Sequence, residues 1–490
     1  MRICTLLSSY ESSRCPVRGI DPYPDPSRWL PGHEHESHLI EKATARLQVR
    51  RLAQRGFDVY INLCDGSVYE DRAGADVIQE LEQLQVPFTG ASSFFYDLDR
   101  ETMKLACVSA GVDTPGHVLV RGPKDIDVAA ESLRFPLIVK HFQSYNSIGL
   151  TPASRVEDAG ALRARAEEML AEFGGALVEE FIEGGECTVL VTEPREGETE
   201  PLVYTPFEVQ FPPGETFKHF DMKWRDWERM SSGPVADPAL ADRLRVLAQR
   251  AFVGVNASGY LRLDLRVDRE GRPFLIDLNE NCSLFAPEGF YGSADHILAH
   301  EPEGHRRFAE HIVGCALRRN RRSRRCFQLR GRAGGGTGIY ASEDIEPGGI
   351  ILREEEHPKS LVSRRHVERT WSDEQKRVFY QYAWPMNEDT YVMWSQRPQD
   401  WVPINHSCDP NAWLEGMDTV ARRRIARGEE ITLDYATFYG DRMEPFDCRC
   451  GAALCRAVIR GSDHREPWVS ERYGDHVSGY VLGARQGHRA

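Results

Sequence analysis

Residues Tyr260-Leu-Arg-Leu-Asp-Leu-Arg-Val267 alternate strictly, and no helix can use that pattern. A period of two turns Leu261, Leu263, Leu265 and Val267 to one face of a strand and Arg262, Asp264 and Arg266 to the other. Asp268-Arg-Glu-Gly271 is a turn, and Arg272-Pro-Phe-Leu-Ile-Asp-Leu-Asn279 returns. An antiparallel hairpin with so short a turn brings Asp264 near Asp277 and sets Asn279 on the same polar face. Two carboxylates and an amide beside an arginine would repel or waste hydrogen bonds in a core. As oxygen ligands for Mg²⁺, completed by substrate phosphates, they make chemical sense. The plainer alternative is an exposed polar face.

The segments before this hairpin alternate between strand and helix patterns. Strands are expected over 1–7, 57–63, 135–140 and 176–180. A helix is expected over 38–55, with Leu39, Ala43, Leu47 and Leu52 near helical spacing, and another over 237–253. Five prolines make 15–32 a loop. The start is therefore βαβ-like. Lysine is scarce, eight among 61 Lys plus Arg, so each one deserves inspection. Lys140 ends a strand and is followed by Ser144-Tyr-Asn-Ser-Ile-Gly149, a small-residue loop whose backbone N–H groups suit phosphate.

At 490 residues, and roughly 100–200 residues per domain, the chain holds about two to four domains. No run approaches the ~20 apolar residues of a membrane span. The first residues do not read as a secretory signal, which makes the expected location the cytoplasm. The net charge of −14 disfavours nucleic acid as a partner. Eight of the twelve cysteines are scattered and read as free thiols of a reducing compartment. Six arginines within 318–325 repel one another and read as a solvated linker or helix end, here taken as a basic linker over 311–325. Beyond it the chain becomes richer in glycine turns, short strands and aromatics.

Four pieces carry this second region: Gly334-Gly-Gly-Thr-Gly-Ile-Tyr-Ala341, Asn405-His-Ser-Cys-Asp-Pro-Asn411, Gly428-Glu-Glu-Ile-Thr-Leu-Asp-Tyr435, and Cys448-Arg-Cys450 with Cys455. The cysteine spacing is that of a metal site. Tyr380, Tyr382, Trp384, Tyr391, Trp394 and Trp401 crowd the stretch before Asn405. They read first as the core of a small domain and second as a channel that would favour a cationic amine.

Residues 1–310 resemble the ATP-grasp superfamily, most closely its D-alanine–D-alanine ligase branch. Asn62-Leu-Cys-Asp-Gly66 and Val86-Pro-Phe-Thr-Gly90 resemble the N-terminal lobe, expected over about 1–98. The ATP-binding region is expected over about 99–310. There Thr102-Met-Lys104, followed by Ala110-Gly-Val-Asp-Thr-Pro115, resembles the lysine helix and its turn. Lys140 and Ser147 fall on the nucleotide strand and phosphate loop. The stretch from Glu179 through Phe181 and Ile182 to Glu186 resembles the adenine hinge, with Glu186 in the ribose place. Lys223 matches a further phosphate lysine, Arg262 the catalytic arginine, and Asp264, Asp277 and Asn279 the Mg²⁺ ligands. The resemblance implies ATP-driven activation of a carboxylate as an acylphosphate, followed by amide formation with an amine. Arg100 stands where the family often has lysine, and the N-terminal glycine-rich substrate motif has no clear counterpart.

Residues 326–460 resemble the SET-domain methyltransferases, with the SET domain over 326–447, a post-SET segment over 448–460 and a polar, loosely ordered tail over 461–490. The resemblance implies S-adenosyl-L-methionine bound around Gly336, Gly338, Asn405 and His406, and Tyr435 close to the transferred methyl. It also lends Cys408 to Cys448, Cys450 and Cys455, and four thiolates suit a closed structural Zn²⁺. The fold class expected is a multidomain α/β (α+β) chain, an ATP-grasp fold followed by a mostly-β SET domain.

The expected function is a bifunctional enzyme, a carboxylate–amine ligase fused to an N-methyltransferase acting on a small molecule or peptide. Its cofactors would be ATP, Mg²⁺, S-adenosyl-L-methionine and Zn²⁺. No membrane partner is expected, and a homodimer is allowed. The alternative is a protein lysine methyltransferase with a non-catalytic ATP-grasp binding domain.

Overall fold

The computed structural model describes residues 1–143, 146–331, 336–353, 360–393 and 401–487. Ser144 and Tyr145 of the phosphate loop, Gly334 and Gly335 of the glycine-rich segment, and Trp394 of the aromatic group lie outside the described residues. The chain divides into two units, Met1–Ser323 and Arg324–Ala490.

Among its described residues the first unit holds three sheets. Arg2–Ser8 lies between two parallel neighbours, Glu34–Ile40 and Val59–Leu63. The expected helix over 38–55 is thus shorter, Ala45–Ala53, and its buried face is Ala45, Val49 and Leu52. Leu39 and Leu47 are exposed. Glu34-His-Glu-Ser-His-Leu-Ile40 buries only Ile40, so this edge strand has no apolar alternation to announce it.

A four-stranded antiparallel sheet runs in the order His117–Val120, Ala176–Glu180, Leu137–His141, Arg155–Val156. Helices Pro123–Ser132 and Ala159–Phe173 pack on it through Ile126, Ala129, Leu162, Ala166 and Met169. The third sheet is built on Gly184–Thr192, Tyr260–Asp268 and Pro273–Asn279, all antiparallel. Leu261, Leu263, Leu265 and Val267 all join the core against helix Pro238–Gly254, as their alternation requires. That helix begins at Asp237, whose side chain caps Ala239 N at 2.9 Å. Its Gly254 is required by packing, since a Cβ there would fall 2.5 Å from Ala110 Cβ.

The segment expected as a linker over 311–325 is helical as far as Ser323, within Gly304–Ser323. Its Ile312, Val313, Cys315 and Ala316 are buried, and Arg319 donates to Phe88 O at 2.7 Å. The arginines spend their charge along a helix end.

The second unit is made of small sheets. Phe327–Gly331 pairs with Thr337–Ala341, and Ile350–Leu352, Asp418–Ala421 and Ala412–Glu415 form a three-stranded sheet. Asn405–His406 runs parallel to Thr432–Leu433. The tail is more ordered than its composition suggests: helices Pro467–Tyr473 and Gly479–Gly487 and the turn between them bury Val469, Tyr473, Val477 and Val481 around Ala436. Among the described residues no helix is long and apolar enough to cross a membrane.

Candidate functional site

In the first unit a cavity of about 980 Å³ collects most of the residues singled out in the sequence. Lys140, Ser147, Glu179, Phe181, Ile182, Glu186, Lys223, Arg262, Asp264, Asp277 and Asn279 all line it. Lys104 does not. It is fully buried beneath the cavity, with Nζ 2.6 Å from Glu179 Oε1. Lys140 holds the other oxygen of the same carboxylate. Burial alone would raise the Glu179 pKa, but Lys104 and Lys140 pull it down to about 2. Two ammonium groups around one carboxylate leave a net positive charge at the strand end where a phosphate would lie.

The hinge from Glu179 to Glu186 is held by a residue the sequence did not single out. Arg266 is buried and donates to Ile182 O at 2.6 Å, Gly184 O at 2.9 Å and Thr216 O at 2.9 Å. Its guanidinium also lies 4.4 Å from the Phe181 ring centroid. Glu186 meets two cations, Lys218 at 3.3 Å and Arg266 at 3.4 Å. The only signal for Arg266 was its place on the polar face of the alternating strand; its carbonyl partners lie 50 to 84 residues earlier in the chain.

Lys223 sits on the short helix Phe220–Trp224, beside the phosphate loop. Its Nζ is 3.4 Å from Asn146 Oδ1, and Trp224 Nε1 donates to Asn146 O at 3.1 Å. Burial first, and then Arg262, lower the Lys223 pKa to about 8. Asn146 and Ser147 both adopt positive φ, 61° and 58°, which shapes the loop beside this lysine.

On the hairpin, Asp264 pairs with Asp277 and Arg262 with Asn279. Arg262 grips Asp264 with two hydrogen bonds, 3.0 and 2.8 Å, while Asn279 Nδ2 and Thr188 Oγ1 donate at 3.0 and 2.9 Å. Burial opposes ionisation of Asp264, yet Arg262 and Lys218 hold it at about 2. Asp277 is ion-paired with Arg100. Two carboxylates and an amide, cross-strand neighbours on one cavity wall, form a donor set that suits a hard divalent cation.

The second unit gathers a separate constellation. A Cβ on Gly338 would fall 2.7 Å from both Asn405 Nδ2 and Glu430 Oε1, so any other residue there would have to displace these two side-chain ends. Asn405 Nδ2 donates to Thr337 O at 3.1 Å and Glu430 Oε1 at 2.8 Å. Gly336, at φ +81°, occupies the left-handed region. His406 Nδ1 accepts from Tyr435 N at 3.2 Å. That leaves Nε2 to carry the proton, 3.3 Å from Cys408 Sγ. Burial lowers the His406 pKa to about 4 despite Asp434, so the ring is neutral at physiological pH. The Tyr435 hydroxyl donates to Ile404 O at 3.1 Å.

Rings surround Tyr435: Tyr439 at 4.9 Å, Phe438 at 5.4 Å and Phe446 at 5.9 Å between centroids. Tyr439 and Phe446 were not foreseen. Of the aromatics expected before Asn405, Tyr380 and Tyr391 pack with Phe379 in a small core, and Tyr382 and Trp401 are exposed. Trp384 reaches this group, 6.4 Å from Phe438.

The ligand atoms of Cys408, Cys448, Cys450 and Cys455 all lie within 4.8 Å of one another. Tetrahedral zinc with Zn–S of about 2.3 Å needs sulfurs about 3.8 Å apart. Cys408 and Cys448 stand at 3.9 Å. Backbone N–H groups of Cys408 and Arg456 point at Cys450 Sγ (3.5 Å) and Cys408 Sγ (3.3 Å), as thiolates require. The donor set fits zinc.

Comparison with known proteins agrees with this division. A family model described as the D-ala D-ala ligase C-terminus matches residues 120–284, and one described as the SET domain matches residues 336–436. The D-alanine–D-alanine ligase of Methylococcus capsulatus is 32% identical over 234 residues, 46% of this chain and 70% of its own length. That of Cupriavidus necator is 29% identical over 239 residues, 48% of this chain and 70% of its own. The ATP complex of the Bacillus anthracis D-alanine–D-alanine ligase aligns with 66% of this chain and 99% of its own, at 18% identity and a TM-score of 0.46. The chain belongs to the D-alanine–D-alanine ligase family through its first unit, and it carries a SET domain in its second.

Proposed function

We propose that the chain is a two-reaction enzyme: an ATP- and Mg²⁺-dependent carboxylate–amine ligase joined to an S-adenosyl-L-methionine-dependent N-methyltransferase. The ligase reading is carried by one observation, the convergence of Asp264, Asp277 and Asn279 with Lys140, Lys223 and Arg262 on a single cavity. Carboxylates facing cations across a cavity of this size suit transfer of a phosphoryl group to a carboxylate, which is mostly a matter of positioning and charge neutralisation. Lys140 and Lys223 would hold the transferring phosphates, and Arg262 would face the developing charge. Bound Mg²⁺ would supply further neutralisation and template the phosphates. Phe181 and Ile182 would flank the base, and Glu186 would meet the ribose.

In the second unit, Gly336, Gly338, Asn405 and His406 would hold S-adenosyl-L-methionine. Tyr435 would align a neutral amine with its methyl group, within the roughly 3–3.5 Å of a near-attack geometry. The methyl acceptor is read as an amine of a small molecule or peptide, the ligase product or its precursor. Covalent fusion raises the local concentration of such an intermediate. The alternative, a lysine methyltransferase with an inert ATP-grasp module, leaves the ionised Asp264 and its paired Asp277 without a purpose.

ADP release assayed against amino-acid pools, with and without S-adenosyl-L-methionine, tests the reading. ATP turnover that depends on an added amine and carboxylate is the expected result. Tyr435→Phe should impair methyl transfer and leave ADP release unchanged. No ATP turnover with any pool, alongside methylation of protein lysines, would favour the alternative.

A further inference from the structure

Asp434 is fully buried, and its carboxylate gathers four donors. Arg456 supplies two hydrogen bonds, at 2.8 and 2.7 Å, the Tyr473 hydroxyl one at 2.9 Å, and Ala436 N one at 3.0 Å. His406 Nδ1 is 3.7 Å away. The next residue in the chain is Tyr435, whose own N–H is bonded to that same His406 nitrogen. One carboxylate therefore neighbours His406 in space and Tyr435 in the chain, two of the residues assigned to the methyl-transfer site.

Two of its three partners come from chain well beyond that site. Arg456 follows the last cysteine, and Tyr473 ends the helix Pro467–Tyr473. The same segment grips the Tyr435 turn from its other side. Ser478 N donates to Thr437 O at 2.8 Å, and Ala436 packs among Val469, Tyr473, Val477 and Val481. Arg472 reaches the cysteine loop, donating to Cys408 O and Asp409 Oδ1 at 2.7 Å each. The match to the SET family ends at residue 436, short of Arg456, Arg472, Tyr473 and Ser478.

A buried carboxylate is costly unless its partners are fixed, and removing one leaves the rest strained or unpaired. The tail could have satisfied its own helix ends. Instead Tyr473 of the tail commits a phenol, and Arg456 just before the tail a guanidinium, to the residue beside Tyr435. We propose that Tyr473 and Arg456 are positioning residues for methyl transfer: acting through Asp434, they fix Tyr435 and His406, which makes the helices after residue 460 a working part of the cofactor site. The inference rests on reading the second unit as an S-adenosyl-L-methionine-dependent enzyme.

The test uses the full chain with 3-fluorotyrosine at position 435, and S-adenosylhomocysteine as the probe. Affinity is measured by calorimetry, the local environment by ¹⁹F resonance, and integrity by zinc content. Tyr473→Phe removes one hydroxyl and keeps the buried ring. It should retain zinc, weaken S-adenosylhomocysteine about tenfold, the scale of a lost hydrogen bond to a charged group, and shift or broaden the fluorine signal. Arg456→Lys keeps the charge but loses the fork, and it should give a smaller change in both readouts. If Tyr473→Phe loses zinc, Arg456→Lys carries the test by the same two measurements. Wild-type affinity and an unmoved resonance in a zinc-loaded variant would overturn the positioning role. A wild-type protein that binds no S-adenosylhomocysteine would instead overturn the methyltransferase reading, and this inference with it.

Discussion

Asp264 and Asp277 stand directly opposite each other on neighbouring strands, and each is held by a different arginine, Arg262 and Arg100. Two like charges at one register position are tolerated because each has its own guanidinium. On the proposed reading, a divalent cation would take the place of these guanidinium partners.

Replacing Asp277 by Ala removes one side of this pair. Because the group lines an open cavity, the loss should leave the melting temperature nearly unchanged. ADP formation should fall to background. Turnover equal to wild type at saturating Mg²⁺ would remove Asp277 from the metal site.

Glu179 joins stability to pH. Its folded pKa of about 2 lies below the ordinary 4.5. A depressed acid contributes stability that is fully present above its unfolded value and is lost as pH falls through the folded one. Glu179→Gln should destabilise the protein by roughly 3–5 kcal/mol near neutrality, because Lys104 is left buried without its counter-charge. The difference between the two proteins in denaturant unfolding should shrink between about pH 4.5 and 2. A difference constant across that window would show that the triad contributes nothing through charge.

Lys223, with its pKa lowered to about 8, should be read out in nucleotide binding. It is cationic below that value and neutral above it, so affinity for ATP with Mg²⁺ should fall as pH rises through about 8. Bound phosphate favours the charged form and would move the midpoint upward. Lys223→Arg, which stays charged, should flatten the profile. A slope that survives in this variant would assign the titration to another group.

Zinc analysis of the purified protein should find about one ion per chain, held by the cysteine cluster. Cys450→Ser should release it and raise hydrogen exchange in the residues after Asp434, since metal binding and local folding are coupled. ADP formation should survive, because the ligase residues lie in the other unit. Metal-free protein with an ordered tail would refute the assignment.

The hairpin was legible from sequence because a period of two leaves only one structure that buries Leu261, Leu263 and Leu265 together. Cys448, Cys450 and Cys455 were legible from their spacing, whereas Cys408, Gly338 and Asn405 were named only through the resemblance to the SET domain. What escaped had weaker signals. Glu34–Ile40 is polar and sits at a sheet edge, so nothing apolar marks it. Lys104 was placed against the nucleotide, whereas it is buried against Glu179 and off the cavity lining, because sequence order carries no information on depth. The tail helices did leave a trace, Val469, Tyr473, Val477 and Val481 at intervals of four. Amid so many charges that spacing was outweighed by composition. Arg266 could not be assigned, since its acceptors are backbone carbonyls whose positions only the folded chain defines.

That arginine has a mechanical consequence. Asp264 and Arg266 share one face of one strand, about 7 Å apart along it at the usual rise per residue. One end of this short ruler touches the carboxylate pair, and the other is bolted to the hinge at Ile182 and Gly184. Base and phosphates of a bound nucleotide would therefore be measured against a single rigid gauge. Inserting one residue between these two positions would turn the carboxylate and the guanidinium to opposite faces and detune both ends of the site at once.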